Sequence, residues 1–254
     1  MTDEPYRWLE AIGNRREYVR EQLKGGSPVL LASRPEGILL MGVARGQGKV
    51  FEIHDRHAMA ALGHPADIER IRQAAIDATH LEAFTRAPED VSLRRLVSFG
   101  LSAQLKQNFE QLFTAPVLGE FAFAELGATP PEDLLARVHF DGTFALRPGG
   151  VLVVGPDADL EAGATRWLHS QLDPSLSWTS VARLLLEAWW MVSTGTPFDG
   201  TLPSATEREQ GWRAATADAR IELGWLNRRS SRTARYEPLD SAALNGSPPL
   251  PTPP

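Results

Sequence analysis

Lys49 is the residue whose type and position raise the most direct chemical question, because it stands at the start of a strand-like segment, "KVFEI". A lysine there can be catalytic, its ammonium can bind a carboxylate of a partner, or it can be hydrated at a strand end. For a lysine taken without context, hydration at a strand end is the default interpretation. The choice depends on the elements that place Lys49 and on the groups beside it.

Three histidines, His54, His57 and His64, are close enough in sequence to suggest a metal site. His54 and His57 flank an Asp-Arg turn, and neither a cysteine nor a third closely spaced ligand accompanies them, so hydrated or core histidines are favoured over zinc ligands. The stretch "GGVLVVGPDAD" has glycines around a strand but lacks the phosphate-loop pattern. We therefore predict neither a metal nor an organic cofactor.

Composition limits the class of protein. The chain has 254 residues, 43% of them hydrophobic, which allows one large domain or two small ones with a buried core. Its net charge of −6 argues against nucleic acid as the main partner, because phosphate binding needs a basic surface. It has no cysteine and no apolar run near the roughly 20 residues that span a bilayer, so we expect a cytoplasmic protein with no membrane contact.

The first half of the chain must place Lys49 within a series of short elements. Residues 9–24 are charged and rich in helix formers, and they predict a surface helix with a thin apolar stripe that ends at Gly25-Gly26. Turn residues then separate the apolar segments "PVLLAS", "GILLMGVA", "KVFEI" and "HAMAALG". These four segments predict a meander of antiparallel strands.

The rest of the chain alternates helix pairs with strands. From Pro65 the apolar residues take the spacing of an amphipathic helix, and a second helix starts near "PEDVS". Strands return at "GEFAFAELG", "ARVHFDGTFALRPGG" and "VLVVG", helices follow around 159–171 and 177–193, and "ARIELGWLNRR" and "TARYEPL" form a last strand pair. This order favours an α+β protein with antiparallel sheets and helices on the outer faces. Residues 241–254 are proline-rich and are predicted to be disordered.

Several of these segments together resemble the proteasome α-subunit family. "NRREYVREQLKGGSPVLLASRPEGILLMGV" and "KVFEIHDRHAMAALGHPADIERIR" are similar to its opening strands and first long helix. "PYRWLEAIGNRREYVREQLKGG" resembles the N-terminal helix of bacterial members, and "PEDVSLRRLVSFGLSAQLKQNFEQLFTAPVLGEFAFAELG" and "VHFDGTF" resemble later elements. The resemblance covers roughly residues 5–190. The chain departs from it in a short link from Gly46 to Gly48, a segment around 195–217, and the proline-rich tail.

The resemblance implies both a fold and a role. The fold is a four-layer αββα sandwich of two antiparallel sheets flanked by helices, forming one domain over residues 9–240 with an N-terminal ring-contact helix. The role is that of a non-catalytic, gating subunit of a bacterial proteasome core particle, a threonine-type endopeptidase complex whose catalytic residues are on β subunits. The implied partners are further copies of the chain in a heptameric ring, β subunits, a hexameric AAA-type ATPase, and unfolded protein substrates in transit.

Active β subunits of this family combine an N-terminal threonine, an acidic residue late in the second strand, and a lysine that opens the third. The free α-amine acts as the base for the threonine hydroxyl. Here the nucleophile position falls at Ser27 and the acid position at Val43, so only Lys49 remains. We therefore predict no catalytic residue in this chain.

In α subunits, a lysine that opens this strand lines a pocket between neighbours and receives the C-terminal carboxylate of a ring ATPase. The resemblance thus implies docking at Lys49, with close backbone approach at Gly26 and a wall at His64. Gly26 can equally end the N-terminal helix, and His64 can equally cap the next helix. The resemblance places a gate in the segment 1–8, at Thr2, Asp3, Glu4, Pro5, Tyr6, Arg7 and Trp8, and a pore entrance at Phe113, Thr114, Ala115 and Pro116.

Two alternatives stay open on the sequence. The first is a self-contained or degenerate N-terminal-nucleophile hydrolase that works without separate β subunits. The second is a ring scaffold unrelated to proteolysis.

Overall fold

Two five-stranded antiparallel sheets form the centre of the protein. The computed structural model describes residues 4–87 and 90–244. The strands are β1 Val29–Arg34, β2 Gly37–Ala44, β3 Val50–His54, β4 His57–Gly63, β5 Gly119–Glu125, β6 Leu134–Val138, β7 Phe144–Pro148, β8 Val151–Val154, β9 Arg220–Asn227 and β10 Tyr236–Leu239. The first sheet has the order β10-β9-β2-β1-β8, and the second has the order β3-β4-β5-β6-β7.

Helices cover both outer faces of this pair of sheets. They are α1 Glu4–Leu23, α2 Pro65–Thr85, α3 Leu93–Arg95, α4 Ser102–Glu110, α5 Ala158–Gln171, α6 Trp178–Thr194 and α7 Ala205–Ala215. A π-helical segment, Leu96–Leu101, joins α3 to α4, and 3-10 turns occupy Pro130–Glu132 and Ser241–Leu244. In the ranges that the structure describes, no helix has both the length and the apolar character needed to cross a membrane.

Alternation of side chains along the strands builds three stacked cores, because successive residues of a strand point to opposite faces. On β1, Leu31 faces the second sheet while Leu30 faces α5 and α6. Between the sheets, small side chains such as Ala58 and Ala122 of the second sheet meet larger ones such as Leu40 of the first. A helical layer formed by α2 and the π-helical segment packs against the outer face of β4 and β5. The predicted four-layer αββα sandwich is confirmed.

The predicted meander is divided between the two sheets. β1 pairs with β2 in the first sheet, whereas β3 pairs with β4 in the second. The link between β2 and β3 is short, and Gly46 within it has a φ of +151° that favours glycine. All eight residues of β2 are buried, because β2 lies between β1 and β9 and has a core on each face. The four strands were therefore predicted at the right places, but they do not form one continuous meander, because β2 and β3 lie in different sheets.

Two boundaries differ from the sequence prediction. α1 begins at Glu4 rather than at Leu9, because Pro5 suits a first helical turn, where the N–H that proline lacks would have no partner. The apolar stripe of α1 is partly covered by the rest of its own domain, since Val19 and Leu23 pack against Phe109 and Phe140. At the other end, Ser241–Leu244 is a 3-10 turn with Leu244 buried, so the part of the tail before residue 245 is ordered. The predicted tail over 245–254 lies outside the described residues.

Candidate functional site

A cavity of about 520 Å³ opens where β2 ends and β3 begins. Its lining comes from the end of α1, the residues before β1 and β3, the ends of β2 and β4, and one face of α6. The lining includes Lys49, Gly26 and Ser27, which are far in sequence from the α6 residues that also line it. The cavity is therefore a product of the sandwich and not of one local motif.

Lys49 extends into this cavity from the residue before β3. Its Nζ donates a hydrogen bond of 3.4 Å to the carbonyl oxygen of Ser27, and its own carbonyl accepts from the amide of Ala61 at 2.9 Å. Burial lowers the pKa of Lys49, and the negative charge of Glu222 opposes that shift. In the described residues no second acceptor lies within hydrogen-bond distance of Nζ, so two of its three N–H donors can serve a ligand. Chemically, an ammonium with available N–H donors can bind an anionic group.

The serine at the predicted nucleophile position is held by two hydrogen bonds within the domain. The Ser27 hydroxyl donates to the carbonyl oxygen of Val43 at 2.9 Å and accepts from the indole Nε1–H of Trp189 at 3.0 Å. Val43 is buried and carries no carboxylate. The structure thus brings the positions of nucleophile, acid and lysine together, but only Lys49 has a side chain of the type that an active subunit needs.

Gly26 and His64, the other residues predicted for the pocket, differ in their placement. Gly26 lines the cavity and also ends α1, because its amide donates to the carbonyl of Leu23 at 2.8 Å. A Cβ at Gly26 would lie 2.7 Å from the Leu62 side chain, so only glycine fits there. His64 is the N-cap of α2, with its Nδ1 accepting from the amide of Ala66 at 3.3 Å. The cavity wall at that point is Gly63.

Two residues that build the site are absent from the predicted set. Trp189 of α6 lines the cavity, and its indole N–H donates to the Ser27 hydroxyl. The carboxylate of Glu222 on β9 accepts from the amides of Lys49 and Val50 at 2.6 and 3.1 Å. In sequence, Glu222 is one acidic residue near the start of β9, and nothing local links it to a lysine 173 residues away.

Comparison with known proteins assigns the family. No protein-family model matches the chain. A "Proteasome subunit alpha" of Pseudarthrobacter chlorophenolicus is 31% identical over 226 residues, which cover 87% of this chain and 86% of that relative. The chain belongs to the proteasome α-subunit family. Relatives with the same name from Sanguibacter keddieii and Paenarthrobacter aurescens are each 30% identical, covering 76% and 70% of this chain and 72% and 74% of those proteins.

In this proteasome α-type chain the residues predicted for the gate and the pore entrance lie on different elements. Of the gate residues, Thr2 and Asp3 are outside the described ranges, whereas residues 4–8 are in the first turns of α1. The predicted pore residues form the turn after α4, in which Phe113 is fully exposed. Asn108 holds that turn, because its amide donates to the Ala115 carbonyl at 3.3 Å and its oxygen accepts from the Val117 amide at 3.1 Å.

Of the three histidines that suggested a metal site, His54 and His57 flank the β3–β4 turn, whereas His64 is the N-cap of α2. The ring of His54 packs against those of His57 and His80, with centroids 6.1 and 5.5 Å apart. Burial lowers the pKa of His54, which favours its neutral form. Over residues 4–87 and 90–244, no group of three or more His, Cys, Asp or Glu side chains is arranged to hold a metal ion.

Proposed function

We propose that the chain is a non-catalytic α-ring subunit of a bacterial proteasome core particle, acting in the cytoplasm on unfolded proteins in transit. Further copies would complete a heptameric ring, and β subunits would supply the catalytic residues. Family membership over most of the chain supports this proposal. A further support is the exposed apolar surface at the start of α1, where Trp8 and Leu9 are 44% and 60% exposed and could contact a neighbouring copy.

We propose that the cavity at Lys49 receives the C-terminal carboxylate of a hexameric AAA-type ATPase. The single observation that carries this proposal is the position of the Lys49 ammonium, which lies in a cavity of about 520 Å³ with donors available to a ligand. An ammonium is a compact charge suited to a terminal carboxylate. The tryptophan faces contributed by α6 would pack against the apolar part of such a tail.

The hydrolase alternative receives no support from the geometry around Ser27. The Ser27 hydroxyl donates to the Val43 carbonyl, and the serine nitrogen is an amide within the chain. The position of the acid is occupied by the apolar side chain of Val43. A nucleophile of this type needs a base within hydrogen-bond reach. Assigning the chemistry to β subunits is therefore the simpler proposal.

Substitution of Lys49 by alanine tests the docking proposal in the assembled core with its β subunits and ATPase. A charge-assisted hydrogen bond contributes about 1.5–3 kcal/mol, so each tail should bind about 10- to 150-fold more weakly. Degradation of folded substrates, which needs the ATPase, should then fall sharply, and binding at several sites of a ring should amplify the loss. Cleavage of small peptides by the same preparation should stay unchanged.

Lys106→Ala is the matched control, because Lys106 is exposed on α4 and, among the described residues, its ammonium pairs with Glu110 of its own helix at 3.1 Å. It should leave both activities unchanged. Full ATPase-driven degradation by Lys49→Ala would show that Lys49 is only a strand end. Loss of peptide cleavage by Lys49→Ala in a preparation without β subunits would instead favour the hydrolase.

A further inference from the structure

Glu222 makes an unusual contact for a residue on a central β-strand. It belongs to β9 in the first sheet, yet its Oε2 accepts from the amides of Lys49 and Val50, which open β3 in the second sheet, at 2.6 and 3.1 Å. β3 is an edge strand, so these two amides have no neighbouring strand on that side. The carboxylate of Glu222 therefore replaces a strand partner at the point from which the Lys49 side chain extends.

The main chain of Lys49 is thereby held from both sides. Its amide is bound to Glu222 and its carbonyl accepts from Ala61 of β4 at 2.9 Å. The Glu222 side chain is itself only 12% exposed, and Arg220 holds its other oxygen through Nε at 2.9 Å. A carboxylate fixed in this way has little freedom to move, so it also fixes the direction of Lys49.

The charge of Glu222 acts on the Lys49 ammonium as well. Burial lowers the pKa of Lys49, and the Glu222 carboxylate works against that effect. The pKa of Tyr236 is raised to about 12, first by its own burial and then by the charge of the same Glu222 carboxylate. The other charged groups at the cavity are Arg45 and Lys24, and α6 contributes only tryptophan and hydroxyl side chains to it. Glu222 is thus the one acidic group that the structure places against Lys49 in the described residues.

We propose that Glu222 is a positioning residue for the docking site: it fixes the main chain that carries Lys49 and supplies a counter-charge to the ammonium. This inference rests on the proposed docking at Lys49 for its biological meaning. A neutral amine could not form a charge-assisted bond to a carboxylate, so docking is lost as the pH rises through the pKa of Lys49. Removing the charge of Glu222 brings that loss to a lower pH.

The titration of Lys49 can be measured directly, because the chain has only three lysines, Lys24, Lys49 and Lys106. Selective 13C labelling of lysine gives one Cε signal for each, and each can be followed against pH in the full chain. Glu222→Gln keeps an oxygen that can accept from the two amides but removes the charge. It should shift the Lys49 midpoint to lower pH, and Glu222→Asp should restore part of that shift.

The matched control is Glu237→Gln on the neighbouring strand β10, where the carboxylate accepts from Asn227 Nδ2 at 3.1 and 3.2 Å. It should leave the Lys49 midpoint unchanged. An unaltered midpoint in Glu222→Gln, with the fold retained by circular dichroism, would overturn the inference.

The functional consequence is tested in the assembled core with its ATPase. Glu222→Gln should lose ATP-dependent degradation at a lower pH than the unaltered protein, and it should cause no further loss in a Lys49→Ala background. A further loss in that background would show that Glu222 acts independently of Lys49, which contradicts the inference. If Lys49→Ala alone has no effect on degradation, the docking function fails, whereas the NMR midpoint still decides whether Glu222 holds the charge of Lys49.

Discussion

Asp133 and Arg228 form a buried ion pair that ties the two sheets together at the end opposite the Lys49 cavity. The carboxylate of Asp133 lies just before β6 of the second sheet and accepts from Arg228 Nη2 at 2.8 and 2.9 Å. It also accepts from Ser33 Oγ of β1 at 2.6 Å and from the Gly127 amide at 2.9 Å. The Asp133 side chain is 0% exposed and that of Arg228 is 13% exposed.

The cost of removing Asp133 follows from this burial. Asp133→Ala would leave Arg228 with a buried charge and no carboxylate, and breaking a buried pair in this way costs about 3–5 kcal/mol. A domain is stable by only about 5–15 kcal/mol in total, so the variant should be close to the limit of folding. At about 2–4 °C per kcal/mol for a chain of this size, the melting temperature should fall by about 6–20 °C.

Urea unfolding followed by circular dichroism, together with calorimetry, measures this loss in the isolated chain. The matched control is Glu36→Ala in the neighbouring pair of Glu36 and Arg229, which is 3.7 Å apart with side chains 37% and 78% exposed. An exposed pair contributes about 0–1 kcal/mol, so the control should be nearly neutral. A loss below about 1 kcal/mol in Asp133→Ala would refute the reasoning, because the buried pair would then behave like an exposed one.

The remaining predictions concern the proposed role. Deleting residues 2–8 removes the first turns of α1 and would clear the entrance. Small-peptide cleavage by the core with β subunits should therefore become faster. An unchanged rate would mean that the segment is not the gate. The purified chain alone should not cleave fluorogenic peptides, because the Ser27 hydroxyl donates to the Val43 carbonyl, its nitrogen is an amide within the chain, and Val43 carries no carboxylate. Turnover that disappears in Ser27→Ala would contradict the assignment as an α-type subunit.

Much of the local structure could be predicted because it depends on residues near one another in sequence. The apolar spacing after Pro65 predicts α2, and Ser177 is the N-cap of α6, with its hydroxyl accepting from the Ser180 amide at 3.2 Å. Asp141-Gly142 gives the turn before β7, where Gly142 has a φ of +82°. Such caps and turns are formed by a side chain and its own neighbouring backbone, so the sequence carries the information.

For the candidate site, the sequence by itself determined less. It identified Lys49, through its position at the head of β3, and it showed that the positions of the nucleophile and the acid hold Ser27 and Val43. It did not show that Trp189 binds the Ser27 hydroxyl or that Glu222 binds the Lys49 amide. Those partners lie 162 and 173 residues away along the chain.

The tertiary structure decided how the strands are divided between the sheets and what surrounds Lys49. Periodicity marks which face of a strand is apolar, but it does not say which strand lies beside it. β3 could have continued the sheet of β1 and β2, yet β9 occupies that place and brings Glu222 to Lys49. The burial and the charge environment of Lys49 therefore arise only when both sheets have packed, because each depends on groups that no local pattern connects.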